Sequence, residues 1–129
     1  MMPRPLVAGG PSIKIGCNDP NRTLPLAARY ADEWNAVFVP AKRFSELSAH
    51  LDELLRAARR SPELVRRTLM TRVVFGSTVA DVERKLGDEP RERLHARGVI
   101  VGTPNVGTPN EIVEQLGPLA EAGVQEVIL

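Results

Sequence analysis

The spacing of apolar residues alternates along the chain between short β-type runs and helical faces. Four runs are rich in β-branched residues and end at glycine, at proline or at the last residue: 12–16 (SIKIG), 34–39 (WNAVFV), 68–75 (TLMTRVVF) and 124–129 (VQEVIL). These runs predict four strands. The run 34–39 has no clean alternation of apolar and polar positions, which indicates burial on both faces, as in a parallel sheet.

Helical periodicity fills the segments between these runs. Within 41–60 the apolar residues lie on one face of a helix: Phe44, Leu47, Leu51, Leu54, Leu55 and Ala58. Further helices are predicted at about 21–30 with Asn21 as cap, at 79–86 with Ser77 or Thr78 as cap, and at 109–122. The strongly charged stretch 88–97 is interpreted as a solvated helical turn or loop.

The predicted order is β, α, β, α, β, α, α, β, which is typical of a parallel sheet with right-handed helical crossovers. The chain has 129 residues, about half of the ~250 that a closed eight-stranded βα barrel needs. Four strands therefore make half a barrel or a small open sheet. A final strand without a covering helix predicts a bare edge or face that something else must cover.

Composition narrows the class of protein without naming a partner. Hydrophobic residues make up 43% and charged residues 26% of the chain, as in an ordinary globular domain. The formal net charge of +1 gives no reason to expect nucleic acid or a membrane surface as a partner. No apolar run is long enough to span a bilayer, and the single cysteine, Cys17, suits a reducing compartment. We therefore expect a cytoplasmic protein.

The loop after the first predicted strand is a candidate phosphate site. Residues 16–22 join the end of a strand to the start of a helix, where free backbone N–H groups and the helix dipole favour an anion. Arg22 would add a guanidinium fork. The alternative is a tight turn in which Asp19 or Asn21 caps the helix, and the residues alone do not decide between the two.

Other candidate residues carry weaker signals. The first helix meets the second strand at Asp32, Glu33, Trp34 and Asn35, which either line a pocket or, for Trp34, pack in the core. His50 and His95 are not spaced as a metal pair, and no metal site is predicted. Cys17 has no histidine nearby in the sequence and is interpreted as a small loop residue rather than a catalytic thiol.

A five-residue duplication stands before the last predicted helix. The segment 101–105 (VGTPN) is repeated at once as 106–110. In the second copy Thr108, Pro109 and Glu111 form a capping box with proline at the first helical position. The first copy is therefore interpreted as an insertion looped out ahead of the helix, which costs little in a surface loop.

Three strings together resemble one family. The string 22–35 (RTLPLAARYADEWN), the preceding IKIGCNDPN and the terminal VGTPNEIVEQLGPLAEAGVQEVIL are similar to the luciferase-like monooxygenase superfamily. Within it, the chain resembles the coenzyme F(420)-dependent or flavin-dependent oxidoreductases. Those relatives are TIM barrels of the bacterial luciferase-like type. The resemblance implies that residues 1–129 form one partial α/β domain, the C-terminal half-barrel with the last four βα units.

The resemblance also implies a cofactor, F(420) or FMN, held at the carboxyl ends of the strands. Its phosphate side would meet Gly16, Cys17, Asn18 and Arg22, and the next strand would contribute Trp34 and Asn35. Cys17 stands where relatives often have a second glycine. Catalytic residues of this family come mostly from the N-terminal half, so none is assigned here.

Two functions remain open from the sequence. In the first, the chain is a fragment of an oxidoreductase that transfers hydride between F(420) or FMN and a small organic substrate, and the chain alone has no turnover. In the second, it is a non-catalytic half-barrel that forms a homodimer or pairs with a separate N-terminal half.

Overall fold

The computed structural model describes residues 4–102 and 111–129. The strands are β1 (Lys14–Gly16), β2 (Glu33–Val37), β3 (Arg66–Met70), β4 (Val73–Phe75), β5 (Ile100–Gly102) and β6 (Glu126–Ile128). The helices are α1 (Thr23–Tyr30), α2 (Ala41–Ala57), α3 (Val79–Leu86), α4 (Arg91–Ala96) and α5 (Glu111–Glu121), with a 3-10 turn at Pro62–Leu64. No helix in the described part of the chain is long and apolar enough to cross a membrane.

Four strands form one parallel sheet in the order β1-β2-β3-β6. These are the strands that the sequence predicts at 12–16, 34–39, 68–75 and 124–129, so the α/β prediction is confirmed. A second, two-stranded parallel sheet pairs β4 with β5. The sequence analysis did not predict β5.

The third predicted strand is in fact two strands, and the single strand 68–75 is corrected. Pairing with β6 ends at Thr71, whose N–H makes the last bond, to the carbonyl of Ile128 at 2.9 Å, while its Oγ1 donates to the carbonyl of Gly98 at 2.9 Å. Beyond Arg72 the chain leaves β6 and pairs with β5 instead. Propensity cannot show this bend, because both halves contain β-branched residues, Thr68 in the first and Val73 and Val74 in the second.

The first helix starts differently from the prediction. Asp19 holds the turn before the helix, because its Oδ1 accepts the N–H groups of Asn21 and Arg22 at 2.8 Å each. The helix α1 begins at Thr23, and its N-cap position is Arg22, which makes no side-chain cap. Asn21 as cap is therefore wrong. In α3, by contrast, the predicted bounds are confirmed, and the hydroxyl of Thr78 accepts the N–H of Asp81 at 3.2 Å.

The charged stretch 88–97, predicted as a solvated helical turn or loop, contains the short helix α4, which is not wholly solvated. Leu94 is fully buried in a small second cluster whose other buried members are Val74, Val82, Val99 and Val101. Leu94 packs this short helix against the β4-β5 sheet. Val101 and Gly102 of the first VGTPN copy lie in β5, so these two residues are not looped out, while residues 103–110 lie outside the described residues.

The main core lies between one face of the four-stranded sheet and the helices. Trp34, Phe44 and Leu51 are fully buried there. The opposite face of the sheet, the inner face, bears the alternate residues of each strand: Lys14, Gly16, Glu33, Asn35, Val37, Arg66, Thr68, Met70, Glu126 and Ile128. Most of these residues are exposed or half-buried, which agrees with a face that no helix of the described chain covers.

Candidate functional site

The carboxyl ends of β1 and β2 meet at one edge of the sheet, where their loops are tied together. The side chain of Asn18 donates through Nδ2 to the carbonyl of Val37 at 2.5 Å and accepts its N–H through Oδ1 at 2.9 Å. The N–H of Cys17 donates to the carbonyl of Asn35 at 3.0 Å. This loop therefore continues the pairing of the two strands, and both ends of the Asn18 amide are engaged within the chain.

Trp34 holds the loop after β1 by a hydrogen bond from the core side of the sheet. Its Nε1 donates to the carbonyl of Cys17 at 2.9 Å, and its ring is fully buried and stacked on Phe44 with the centroids 5.1 Å apart. A ring in this position belongs to the core and presents no surface at the edge. Trp34 acts on the candidate site by positioning Cys17, which is itself buried.

Asp19 decides between the two interpretations of the loop. Its carboxylate accepts the N–H groups of Arg22 and Asn21, and these backbone hydrogen bonds hold the pKa of Asp19 below its ordinary value. A negative charge thus already occupies N–H groups that a phosphate would use. The structure contains a turn held by Asp19 ahead of the helix, and in it the N–H groups of Asn21 and Arg22 already bond to a carboxylate.

Gly16 and Arg22 remain accessible at this edge. Both are exposed, and a Cβ built on Gly16 would lie no closer than 3.9 Å to another atom, the carbonyl oxygen of Asn35. A ligand can therefore approach the backbone of Gly16 closely. The guanidinium of Arg22 is the cation that the loop offers to an anionic group. These two residues fit a phosphate-bearing cofactor.

Asn35 lies on the inner face, in a buried chain of polar groups. Its Nδ2 donates to the hydroxyl of Thr68 at 2.8 Å, and that hydroxyl donates to Oε1 of Glu33 at 2.7 Å. Lys14 pairs with the same carboxylate at 2.8 Å. Burial raises the pKa of Glu33, but the hydrogen bonds from Lys14 and Thr68 outweigh burial and hold it below its ordinary value.

Sequence reasoning missed Thr68 and Lys14, and it placed Glu33 beside a pocket without giving it a partner. The signal that could have found them is the period of two, because residues at alternate positions of a strand share one face. Glu33 and Asn35 are two positions apart in β2, as are Arg66 and Thr68 in β3.

Phe38 is a further residue that the sequence did not indicate. It follows β2 at the carboxyl edge with a φ of 50°, and its side chain is 37% exposed. A bulky residue in the left-handed region is rare and costs on the order of 1–3 kcal/mol. Its N–H donates to the carbonyl of Met70 at 2.9 Å, which helps to hold this backbone in place.

The histidines do not build a metal centre. No group of three or more His, Cys, Asp or Glu side chains that could hold a metal ion occurs in residues 4–102 and 111–129. His50 lies 3.1 Å from the carbonyl of Pro20, where it contacts the loop before α1. His95 is exposed at the end of α4.

Comparison with known proteins shows which family the chain matches. The family model of the luciferase-like monooxygenases matches residues 1–103 of this chain. No curated protein sequence matches the chain.

Solved structures of the same fold include an F(420)-dependent tetrahydromethanopterin reductase from Methanopyrus kandleri, with a TM-score of 0.69, 15% identity and coverage of 88% of this chain and 43% of that chain. An F(420)-dependent secondary alcohol dehydrogenase gives 0.71 at 11% identity, covering 92% of this chain and 42% of that chain. The long-chain alkane monooxygenase LadA gives 0.68 at 14% identity, covering 93% and 37%. The chain thus has the fold of part of a TIM barrel and spans about two fifths of these relatives.

Proposed function

Because the chain belongs to the luciferase-like monooxygenase family, we propose that residues 1–129 form the C-terminal half-barrel of an oxidoreductase that uses coenzyme F(420) or FMN. Two relatives of the same fold are described as F(420)-dependent, which supports the deazaflavin. When bound, such a cofactor supplies hydride transfer to or from an organic substrate. This half would contribute to cofactor binding and orientation, and without the other half no turnover is expected.

The accessible pair Gly16 and Arg22 is the observation that carries the proposal. Both are exposed at the carboxyl edge of a parallel sheet, the side on which TIM barrels bind their ligands. Arg22 would pair with the cofactor phosphate through its guanidinium fork, and Gly16 would allow close approach of the backbone. Asn18, Cys17 and Trp34 would hold the loop in place, and Asn35 would complete the adjoining inner face.

Cofactor titration of matched arginine variants tests this assignment. In Arg22→Ala we expect the Kd for F(420) or FMN, whichever the chain binds, to rise about tenfold, as for the loss of one hydrogen bond to a charged group. Arg29→Ala is the control, because Arg29 is also exposed on α1 but lies in its last turn, over the ring of Tyr30. The Kd of Arg29→Ala for the cofactor should equal that of the wild type.

The readout is quenching of Trp34, the single tryptophan, corrected for absorbance by the ligand. Saturable quenching by one cofactor at lower concentration than by the other would identify the subfamily. Equal affinities of the wild type and Arg22→Ala would contradict the role of Arg22. A flat response from a folded chain would contradict cofactor binding by this half alone.

A second candidate function is a non-catalytic half-barrel that serves as a structural partner. The observation in its favour is the inner face, which no helix of the described chain covers although its centre holds the buried groups Asn35 and Thr68. A discrete complex in light scattering, without saturable cofactor binding, would favour this candidate.

A further inference from the structure

The two outer strands of the four-stranded sheet carry opposite charges on the inner face. Lys14 lies on β1 and Glu126 lies on β6, and their side chains are 49% and 44% exposed. Within the described chain, each of these strands has a neighbouring strand on one side only. The two open edges are therefore complementary in sign.

Charge alternates from strand to strand across this face. Lys14 pairs with Glu33 of β2 at 2.8 Å, and Arg66 of β3 pairs with Glu126 at 2.6 Å. The order along the sheet is thus positive, negative, positive, negative. These four charges sum to zero, so the face can be enclosed without leaving a net charge inside.

An apolar row lies nearer the carboxyl edge, beyond the row that Glu126 shares with Thr68 and Asn35. The register aligns Val37 with Met70 and Met70 with Ile128. Val37 and Ile128 are half-buried, and Met70 is 37% exposed. Covering this row would remove apolar surface from water, which favours association.

We propose that the inner face is a docking surface for a second copy of this chain. In this dimer β6 of each copy lies beside β1 of the other, and the two sheets of four parallel strands close around one interior of eight strands. Each junction then places Glu126 of one copy next to the strand that bears Lys14 of the other. The alternation of positive and negative strands then continues around the closed sheet of eight strands. Both open edges of each copy are paired with a strand of the other copy.

The inference deepens the half-barrel candidate above by naming its partner, and it rests on that candidate. It makes no use of the cofactor loop. A failure of dimerisation is therefore distinguishable from a failure of cofactor binding, since Arg22 affects only the latter.

Charge reversal at the two edges gives the decisive experiment. Wild-type protein should have twice the monomer mass of 14.1 kDa in size-exclusion chromatography with light scattering. Lys14→Glu makes both edges of one copy negative, and Glu126→Lys makes both edges positive. Each single variant should therefore be monomeric, or dimerise at least about tenfold more weakly, because like charges meet at both junctions.

An equimolar mixture of the two variants should form the dimer again. In the mixed dimer every junction joins a negative edge to a positive one. Lys42→Glu is the control for a change of charge alone, because Lys42 is exposed on α2, which packs on the other face of the sheet. It should leave the dimer intact.

A measurement on the wild type keeps the test valid if a variant does not fold. Zero-length carbodiimide cross-linking of mixed isotope-labelled and unlabelled protein should yield an intermolecular peptide that joins Lys14 to Glu126. A wild type that stays monomeric at about 100 μM, a range in which specific complexes of micromolar Kd form, would overturn the proposal. So would a dimer whose affinity is the same in the wild type, in both single variants and in their mixture.

Discussion

Asn18 bonds both backbone groups of Val37, accepting its N–H at 2.9 Å and donating to its carbonyl at 2.5 Å. The amide side chain thereby takes the place of a neighbouring strand at the end of β2. Only a side chain with a donor and an acceptor side by side can do this, so Asn18 fixes where the loop after β1 lies. The accessible groups Gly16 and Arg22 flank this contact in the sequence.

Replacing Asn18 should loosen the loop in a pH-dependent way. Asn18→Ala leaves both groups of Val37 without their partner and should lower the free energy of unfolding by about 1–3 kcal/mol. Asn18→Asp should cost at least as much at pH 7, because a carboxylate would face the carbonyl of Val37. Below about pH 4 the acid becomes protonated and can donate, so its deficit should shrink.

Urea unfolding at pH 7 and near pH 3.5 measures both effects. Asn21→Ala is the control, since Asn21 is exposed on the same loop and does not cap α1. Equal stability of Asn18→Asp and the wild type at pH 7 would contradict the role given to the amide.

Substitution of two glycines by alanine distinguishes the cost of a steric clash from the cost of backbone strain. Gly98 and Gly87 have similar positive φ values, 71° and 60°. A Cβ on Gly98 would lie 2.2 Å from the carbonyl oxygen of Val39, whereas a Cβ on Gly87 would meet nothing within 4 Å. Gly87→Ala meets no neighbouring atom, so it should cost only the strain of a side chain at a φ of 60° and a ψ of −130°, about 1–3 kcal/mol.

Gly98→Ala should cost clearly more than Gly87→Ala, because the loop after α4 must move away from Val39. Thermal melts by circular dichroism give the comparison. Similar melting temperatures for the two variants would mean that the approach of Gly98 to Val39 is not tight in solution. The result also shows whether the loop between α4 and β5 packs closely against Val39 after β2.

Breaking the ion pair of Arg67 should be far more costly than breaking a surface pair. Arg67 is 9% exposed, it contacts Asp52 at 2.6 Å, and its guanidinium lies 6.0 Å from the centroid of the Trp34 ring. Burial lowers the pKa of Arg67, while the charge of Asp52 opposes that shift. Asp52→Asn leaves the buried cation unpaired and should cost about 2 kcal/mol, less than for a fully buried pair because Asp52 is a third exposed.

The matched control is Glu46→Gln. It breaks the exposed pair of Arg43 and Glu46, which are 3.1 Å apart, and should cost less than about 0.5 kcal/mol. Chemical denaturation of both variants gives the difference. Equal losses would show that the contact of Arg67 with Asp52 is solvated rather than part of the core.

Glu33 should make folding sensitive to acid. Its pKa in the folded state lies below the ordinary value of 4.5, so the folded protein binds this proton less readily than the unfolded chain. The resulting stability is fully present above the ordinary pKa and is lost as the pH falls through the folded pKa. Glu33→Gln removes this contribution.

The difference in unfolding free energy between wild type and Glu33→Gln should therefore be constant above about pH 5.5 and shrink towards pH 3. Part of the acid sensitivity should remain in the variant, because hydrogen bonds also lower the pKa of Asp19 and Asp81. A difference that does not change with pH would contradict the contacts of Glu33 with Lys14 and Thr68.

The sequence by itself determined the elements whose signals are local. The apolar face of α2, the bounds of α3 with a cap at Ser77 or Thr78, and the presence and order of the four strands of the parallel sheet follow from periodicity and capping within a few residues. The family was likewise identified from the sequence, by the string RTLPLAARYADEWN at 22–35 and by the terminal string that begins with VGTPN. Such a resemblance depends only on the order of residue types along the chain.

The tertiary structure decided what depends on partners distant in the chain. The bend at Thr71 requires the carbonyls of Gly98 and Ile128, and α4 requires a cluster that receives Leu94. The side of the sheet that Trp34 faces is set by its stacking on Phe44. Hydrogen bonds and burial between such residues carry no trace in local composition. For the same physical reason only the folded sheet brings Lys14, Glu33, Arg66 and Glu126 onto one face.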